Sequence, residues 1–194
     1  MTAFAALTLV LGTAACSGAA TSDTETTAKT SNTISGTWKG DPATAQAENS
    51  DSNFTLIDGE FTCNSCIPTY STKADGQWQP IDRPGYDEMK VEVVDDNTVK
   101  TSIRFKGREL GGSTWTVSDD GSTLTQSFVN LDAEETTNGT VSMSRTADAP
   151  KGAHAMSGGW KLAEYGEISD AALLNTYTLE GHTVSNSYNG GSWS

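Results

Sequence analysis

Positive charge and long apolar segments are both scarce in this sequence. Its 194 residues include 12 Lys and Arg against 25 Asp and Glu, for a formal net charge of -13. Such acidity excludes a nucleic-acid partner, which requires a basic surface to displace counterions from phosphates. It also excludes electrostatic docking on anionic lipid. With 35% hydrophobic residues, a packed core is possible over only part of the chain, and the acidic residues are best explained as solubilising groups.

Sequence motifs for catalysis are also missing. The chain contains no Gly-x-Ser-x-Gly, no His-Glu-x-x-His and no phosphate-binding loop. His154 lies in a linker and His182 lies beside a turn glycine, so we expect both side chains to be solvated. The acidic pairs that begin at Asp95 and Asp119 are typical of turns rather than of an acid–base pair. These features predict a protein that is not an enzyme and that holds no cofactor and no metal.

The first sixteen residues, MTAFAALTLVLGTAAC, form a distinct apolar segment. The run Ala3–Leu11 is too short to span a bilayer as a helix and is typical of the hydrophobic region of a signal peptide. Small residues then lead to Cys16. This arrangement resembles the signal of bacterial lipoproteins, and the resemblance implies that residues 1–16 are such a signal and that Cys16 becomes the lipidated first residue. An ordinary signal peptide and a buried apolar N-terminus are the alternatives.

A polar segment follows this cysteine. Residues 17–33 read SGAATSDTETTAKTSNT and contain no large apolar side chain. Such a segment cannot bury a core, so it predicts a flexible tether between an anchor and a folded domain. Ser17 directly follows Cys16. The resemblance to lipoproteins with serine at this position implies an outer-membrane location facing the periplasm, with the membrane reached through the N-terminal lipid anchor.

Two stretches far apart in the chain are nearly the same. SGTWKGD begins at Ser35, and SGGWKLA begins at Ser157. Internal similarity at a fixed offset indicates a duplicated structural unit. We therefore predict a first copy at residues 34–147, a linker at 148–156 and an incomplete, truncated second copy at 157–194. Strands without partners expose unpaired edges, so the second copy is expected to be poorly ordered or to lie as stray strands beside the first.

Hydrophobic residues alternate with polar ones from Met89 onward. Runs such as Met89–Val93 and Thr101–Phe105 have period two, and Gly, Asn and Asp stand at the breaks. That pattern predicts antiparallel strands joined by short turns. The predicted fold class is all-β, an antiparallel meander of about eight or nine strands closed into a barrel, with no long helix.

One charged residue interrupts the inward face of the last predicted strand. Arg145 lies on the same face as Val141, and a buried arginine requires a partner such as the ring of Trp38. The pair resembles a feature of lipocalins, whose first strand begins with Gly-x-Trp, here GTW from Gly36, and whose last strand carries an arginine across that tryptophan. The resemblance implies a lipocalin-like barrel closed at one end by Gly36, Trp38 and Arg145.

The motif CNSC, from Cys63 to Cys66, is the other candidate for chemistry. A Cys-x-x-Cys pair is a structural disulfide, a redox couple or half of a zinc site. Outside the cytoplasm the oxidised pair is the default. The β context provides neither a helix N-terminus for a redox thiol nor zinc ligands close in sequence, so we predict a structural disulfide. Trp78 and Tyr70 either line a pocket mouth or pack in the core or at its rim.

These patterns together predict a membrane-anchored, lipocalin-like lipoprotein that binds a small apolar ligand or lipid in the cell envelope. A barrel of about eight strands either holds one ligand or is filled by side chains. Bulky residues at inward positions, among them Val91, Val99 and Val117, favour a filled interior. The alternative is therefore a non-catalytic scaffold or inhibitor module. A redox protein that uses Cys63 and Cys66 has the least support.

Overall fold

Antiparallel strands make up almost all of the regular secondary structure in the described part of the chain. The computed structural model describes residues 34–45, 48, 50–189 and 191–193. Two single turns accompany the strands, a 3₁₀ helix at Pro42–Thr44 and the helix α1 (Asp170–Leu173). In chain order the strands are β1 (Gly36–Lys39), β2 (Asp51–Ile57), β3 (Glu60–Cys63), β4 (Tyr70–Lys73), β5 (Trp78–Arg83), β6 (Tyr86–Val93), β7 (Thr98–Phe105), β8 (Arg108–Val117), β9 (Thr123–Asn130), β10 (Thr137–Ala147), β11 (Gly158–Ile168), β12 (Leu174–Glu180), β13 (Thr183–Tyr188) and β14 (Gly191–Trp193).

These strands form two sheets. The larger sheet follows the order β4-β3-β2-β11-β10-β9-β8-β7-β6-β5. Its two end strands, β4 and β5, contact each other, so the sheet curls into a nearly closed barrel. The smaller sheet follows the order β1-β12-β13-β14. The prediction of an all-β fold with an antiparallel barrel is confirmed.

Two-residue turns connect several of the hairpins. Asp58-Gly59 joins β2 to β3 with φ angles of 51° and 77°, and Lys106-Gly107 joins β7 to β8 with φ angles of 51° and 80°. Positive φ at both central residues is typical of the type I′ turn, whose twist matches that of the flanking strands. Glycine adopts the second of these conformations without steric cost. The breaks in the alternating pattern are therefore tight turns.

The core lies inside the barrel, on the face toward which the alternating hydrophobic residues point. Val99 stands opposite Trp115 on β7 and β8, and Val117 stands opposite Leu124 on β8 and β9. Val99 and Leu124 are completely buried. Burial of each such side chain stabilises the fold by about 1.5–3 kcal/mol. The period-two pattern thus corresponds to the inner and outer faces of one barrel wall.

The barrel crosses the boundary between the two similar parts of the sequence. β11 follows residues 148–156, yet it pairs with β10 on one side and with β2 on the other. β1 lies outside the barrel and pairs with β12. The barrel therefore runs from β2 to β11 and not over residues 34–147. β11 is one of its walls and not a stray strand beside it.

The connection between β10 and β11 explains this arrangement. Within residues 148–156, Ala153 N donates to Pro150 O, and His154 N donates to Leu56 O on β2. The segment is a compact turn that delivers β11 directly to the free side of β10. A strand that follows closely in sequence reaches this place at a lower loop-closure cost than β1, which lies far upstream.

The N-terminal predictions concern residues outside the described part of the chain. Cys16 and the segments 1–16 and 17–33 all lie there. Within the described ranges, no helix combines the length and the apolar character that a membrane crossing requires.

Candidate functional site

One end of the barrel is closed by an arginine stacked on a tryptophan. Arg145 and Trp160 stand opposite each other on β10 and β11, and the guanidinium carbon lies 4.0 Å from the centre of the indole ring. Trp160 is completely buried, whereas Trp38 on β1 is 55% exposed. The predicted pairing of Trp38 with Arg145 is wrong, because β11 and not β1 lies beside β10. Gly36 likewise lies outside the barrel. The strand that closes the barrel, β11, begins at Gly158 instead.

Main-chain carbonyl groups hold the Arg145 guanidinium in place. Its Nε donates to Gly121 O, its Nη1 donates to Ser157 O at 2.8 Å, and its Nη2 donates to Ala155 O at 2.8 Å. Burial lowers the pKa of Arg145, and the Asp148 carboxylate partly opposes this shift. The guanidinium thus joins the β8–β9 turn to the segment that precedes β11. These bonds make Arg145 a structural group that closes the barrel.

His154 is a second fixed group at this end. Its Nε2 lies 2.7 Å from Asp95 O, and Met156 N donates to its Nδ1 at 3.1 Å. Because Nδ1 accepts this bond, Nε2 is the ring nitrogen that donates to Asp95 O. His154 is partly exposed but not freely solvated, since the ring ties the segment before β11 to the β6–β7 turn. His182 is exposed in the β12–β13 turn, as predicted.

Cys63 and Cys66 form a disulfide, as predicted. Cys63 is 2% exposed at the end of β3. The loop that the bond closes is also tied to β2, because Asn64 N donates to Asn53 O at 2.9 Å. Across the described ranges, no group of three or more His, Cys, Asp or Glu side chains is placed to hold a metal ion. The disulfide therefore acts as a local tie between β3 and the following loop.

Trp78 and Tyr70 both pack against neighbouring side chains of the barrel. The Nζ atom of Lys90 and the guanidinium carbon of Arg104 lie 5.2 Å and 4.4 Å from the centre of the Trp78 ring. Tyr70 packs against Phe61 with the ring centres 6.3 Å apart, and burial raises the pKa of its hydroxyl. Tyr70 packs against the core, which is one of the roles predicted for it.

The opposite end of the barrel contains a cavity of about 450 Å³. The strand register places Thr101, Ser113 and Phe128 side by side on β7, β8 and β9. Thr101 is two residues from the buried Val99, so all three side chains lie on the inner face of the barrel. Tyr188, at the end of β13, lies at the same cavity. The lining includes Tyr86, Thr101, Ile103, Ser113, Phe128 and Asn130.

The cavity wall combines hydrocarbon with hydroxyl groups. Trp115 Nε1 donates to Thr101 Oγ1 at 3.2 Å, and Gln126 Nε2 donates to Ser113 Oγ at 2.9 Å. Because each hydroxyl oxygen accepts a hydrogen bond, each hydroxyl keeps its own proton to donate. The ring of Phe128 lies beside these groups. The wall therefore matches a molecule that carries an acceptor oxygen next to an apolar part.

A glycine makes room for the aromatic side of this cavity. Gly139 on β10 stands opposite Phe128 on β9. A Cβ atom at position 139 would lie 2.7 Å from Phe128 Cζ and 3.0 Å from Ile168 Cγ1, and both distances are too short for van der Waals contact. The small residue at this place lets the phenyl ring lie across β10 inside the barrel.

Sequence reasoning missed the cavity residues. The usable signal was the presence of polar side chains at three inward positions of the strand pattern, Thr101, Ser113 and Gln126. A polar group on a buried face requires a hydrogen-bond partner, and three of them on neighbouring strands indicate a region of the interior that is not packed with hydrocarbon. The inward positions closer to the other end, such as Val117 and Leu124, are apolar and buried.

A wider groove lies on the outside of the barrel. It has a volume of about 820 Å³ and runs between residues 39–45 and the second half of β11, from Leu162 to Ile168. β2 pairs with β11 only over residues 158–161, so the remainder of β11 has this groove on its free side. One wall of the groove is therefore formed by the chain that leaves β1.

Comparison with known proteins adds no relative to this description. No family model matches the chain, and the searches of curated proteins and of solved structures find no match either. The residues of the barrel are the basis for assigning a function.

Proposed function

We propose that this protein is a non-enzymatic envelope lipoprotein whose barrel binds a small, partly apolar molecule. The observation that carries the proposal is the cavity of about 450 Å³ at the open end of the barrel. This volume falls within the range of small-molecule sites, which are concave, largely apolar and marked by a few polar groups. The opposite end is filled by Trp160 and sealed by Arg145, so we place the ligand's entry at the end that contains the cavity.

The cavity wall defines the chemistry of this ligand. Phe128 and Ile103 provide apolar surface, and the hydroxyl groups of Thr101 and Ser113 donate hydrogen bonds. A lipid-like or aromatic molecule with a carbonyl, ether or carboxyl oxygen satisfies both halves of the site. A purely anionic molecule would gain nothing from the face of the Phe128 ring, which carries partial negative charge.

The membrane location belongs to the same proposal and depends on the N-terminal sequence. An apolar run that ends at Cys16 supports lipidation of this cysteine, and the polar residues 17–33 support a tether that holds the barrel away from the outer membrane on its periplasmic side. We expect a chain with Cys16→Ser to lose the mass of an acyl anchor and to leave the membrane fraction. A Cys16→Ser chain that keeps the acyl mass and stays in the membrane fraction would contradict the lipoprotein assignment.

Native mass spectrometry tests the ligand proposal. The chain is exported to a bacterial periplasm with Cys16→Ser, so that any acyl adduct is a ligand and not the anchor. Residues through Asn189 must be included, because a chain that stops at residue 147 lacks β11 and one that stops at Ile168 lacks Tyr188 at the cavity. We expect a stoichiometric small-molecule adduct, which solvent extraction then identifies.

A matched pair of variants locates the adduct in the cavity. Ser113→Leu fills the inner wall, whereas Ser127→Leu adds the same side chain on the outer face of the neighbouring strand, where Ser127 is exposed. We expect Ser113→Leu to lose the adduct and Ser127→Leu to keep it. Equal loss, equal retention or a clean apo mass of the unsubstituted chain contradicts the proposal.

A non-catalytic scaffold or inhibitor module is the second candidate function. It is favoured by the packing of the closed half of the barrel, where Val91, Val99 and Leu124 are completely buried. A clean apo mass, together with capture of a defined envelope protein, would favour this candidate. The double variant Cys63→Ser/Cys66→Ser distinguishes these two candidate functions from a redox function. A structural disulfide can be removed without loss of ligand or partner binding, whereas a redox function would be lost.

A further inference from the structure

The two Gly-x-Trp strands dock on their acceptor strands in the same register. Gly158 on β11 stands opposite Phe54 on β2, and Gly36 on β1 stands opposite Tyr177 on β12. Each acceptor strand has seven residues and continues through a two-residue turn into the next strand. The same kind of strand therefore meets the same kind of hairpin twice.

A serine before each strand makes the same hydrogen bond to its acceptor. Leu56 N donates to Ser157 Oγ at 2.8 Å in the barrel. Leu179 N donates to Ser35 Oγ at 2.8 Å in the small sheet. Since the serine precedes the glycine in both cases, the motif Ser-Gly-x-Trp-Lys contains the groups that fix its position on the hairpin.

The connections that deliver the two strands are completely different. β11 follows β10 after residues 148–156 and pairs with β2, a strand that precedes it in the chain. β1 is the first described strand and pairs with β12, which comes much later in the chain. Because the docking geometry is the same despite this difference, the hairpin recognises the strand itself and does not need a particular covalent connection. A strand from another molecule satisfies the same requirements.

β1 is also held more weakly than β11. All four of its residues are exposed. Its side-chain ties include a hydroxyl contact between Thr37 and Thr176 at 2.9 Å and an ion pair between Lys39 and Asp170 at 2.7 Å, both open to solvent. Exposed contacts of this kind contribute about 0–1 kcal/mol. β11, in contrast, pairs along its length with β10 and carries the buried Trp160.

We propose that β1 is an exchangeable strand through which two copies of this chain associate. β1 of one copy pairs with β12 of the second copy, and β1 of the second copy pairs with β12 of the first. This arrangement is a reciprocal strand exchange. Both barrels stay intact, because β1 belongs to neither. The partner is thus a second molecule of the same chain.

Mixed cysteine variants test this exchange in the full chain. Thr37→Cys and Thr176→Cys are placed in separate chains, each with Cys16→Ser, since these residues stand opposite each other on β1 and β12. After mixing and mild oxidation, we expect a disulfide-linked species of twice the monomer mass whose yield rises with concentration. A single chain that carries both cysteines should form the same bond within itself when dilute.

A matched pair on a hairpin that cannot exchange serves as the control. Thr62→Cys and Ser71→Cys stand opposite each other on β3 and β4, with the hydroxyl oxygens 2.7 Å apart, and the two strands are joined by a short loop. Mixed chains of this pair should stay monomeric. Sedimentation of the unsubstituted chain provides an independent measurement. A monomer at every concentration, or equal cross-linking of the two pairs, would overturn the proposal.

Discussion

Trp160 and Trp38 occupy the same local structure in two very different surroundings. Each indole Nε1 donates to the carbonyl oxygen four residues earlier, Met156 O for Trp160 and Ile34 O for Trp38, at 2.9 Å in both cases. Yet Trp160 is completely buried and Trp38 is 55% exposed. The short motif determines the conformation of the strand and its docking register, and the number of strands that surround it determines the burial.

The acceptor hairpins show the same contrast. In the barrel, Leu56 and Phe61 stand opposite each other and are each 3% exposed. In the small sheet, Leu179 and Val184 occupy the corresponding positions, and Leu179 is 41% exposed. A four-stranded sheet that covers so little apolar surface gains little free energy from burial. The barrel and the small sheet should therefore differ sharply in their response to equivalent substitutions.

The largest difference is expected for the two tryptophans. Trp160→Ala removes the largest of the fully buried side chains and leaves a cavity beneath Arg145, so it should lower the free energy of unfolding of the barrel by about 3–5 kcal/mol. Trp38→Ala removes a side chain that is more than half exposed and should lower it by less than about 1 kcal/mol. Urea denaturation followed by far-ultraviolet circular dichroism measures both.

Equal losses for the two variants would contradict this comparison. They would mean that the stability of the barrel depends on β1 as strongly as on β11, and that the small sheet and the barrel unfold as one unit. The matched design controls for any direct effect of losing one tryptophan, because each variant loses one indole from the same motif.

Among the described contacts, no cation stacks on Trp38 as Arg145 stacks on Trp160. Substitution of Arg145 should cause the next largest loss in the free energy of unfolding. Arg145→Met keeps an apolar stem over Trp160 but leaves the carbonyls of Gly121 and Ser157 without their donor. We expect a loss of about 2–3 kcal/mol in the free energy of unfolding.

The control for Arg145 is Arg108→Met, which breaks the exposed ion pair with Asp132. Surface pairs contribute about 0–1 kcal/mol, so this variant should remain close to the unsubstituted chain. A similar loss for both arginine variants would show that net charge, and not the closure of the barrel end, decides the stability.

The glycines that begin the two strands provide a third matched pair. Gly158 has a φ angle of +110°, and a Cβ atom there would lie 2.3 Å from Ala147 O. Gly36 has a φ angle of +145°, and the nearest atom to a Cβ would be Trp38 Nε1 at 3.8 Å. Gly158→Ala should therefore destabilise the barrel by about 2 kcal/mol through strain and overlap.

Gly36→Ala makes only an ordinary van der Waals contact, and its backbone strain acts on the small sheet, so the unfolding midpoint of the barrel should hardly move. Differential scanning calorimetry of the two variants compares them directly. A barrel transition that shifts equally in both would indicate that β1 contributes to the barrel after all.

Much of the barrel could be predicted from the sequence because its information is local. The alternation from Met89 onward, the turn residues and the Cys63–Cys66 spacing each depend on a few neighbouring positions, and the structure confirms strands, turns and the disulfide there. The partner of Arg145 could not be predicted in this way. Trp38 and Trp160 carry the same motif, so nothing in the motif itself decides which strand joins β10.

The choice between these strands is non-local. It is made by residues 148–156, which fold back onto β2 through His154 and so bring β11 into place. A linker composition of small residues, Pro and Gly does not reveal such contacts. The cavity was missed for a related reason, since Thr101 and Ser113 acquire their meaning only when the register places them side by side.

The smallest expected effect concerns the turn that supports Arg145. Asp120 Oδ1 accepts hydrogen bonds from the Ser118 hydroxyl and from the main-chain and hydroxyl groups of Ser122. These bonds, the Ser118 hydroxyl first, lower the pKa of Asp120 from 3.8 to about 2. The same turn provides Gly121 O to the guanidinium, so the carboxylate helps to position an acceptor at the closed end of the barrel.

A lowered pKa gives this contribution a defined pH dependence. The unfolded chain binds a proton at Asp120 more readily than the folded chain, so the stabilisation is complete above about pH 4 and is lost as the pH falls toward 2. Asp120→Asn should therefore be less stable than the unsubstituted chain at neutral pH, and the gap should close in that acidic window. Asp119→Asn removes the same charge one residue away and is the control. Urea midpoints measured across the window distinguish the two, because a gap that stays constant with pH would show that the side-chain shape, and not its ionisation, supports the turn beneath Arg145.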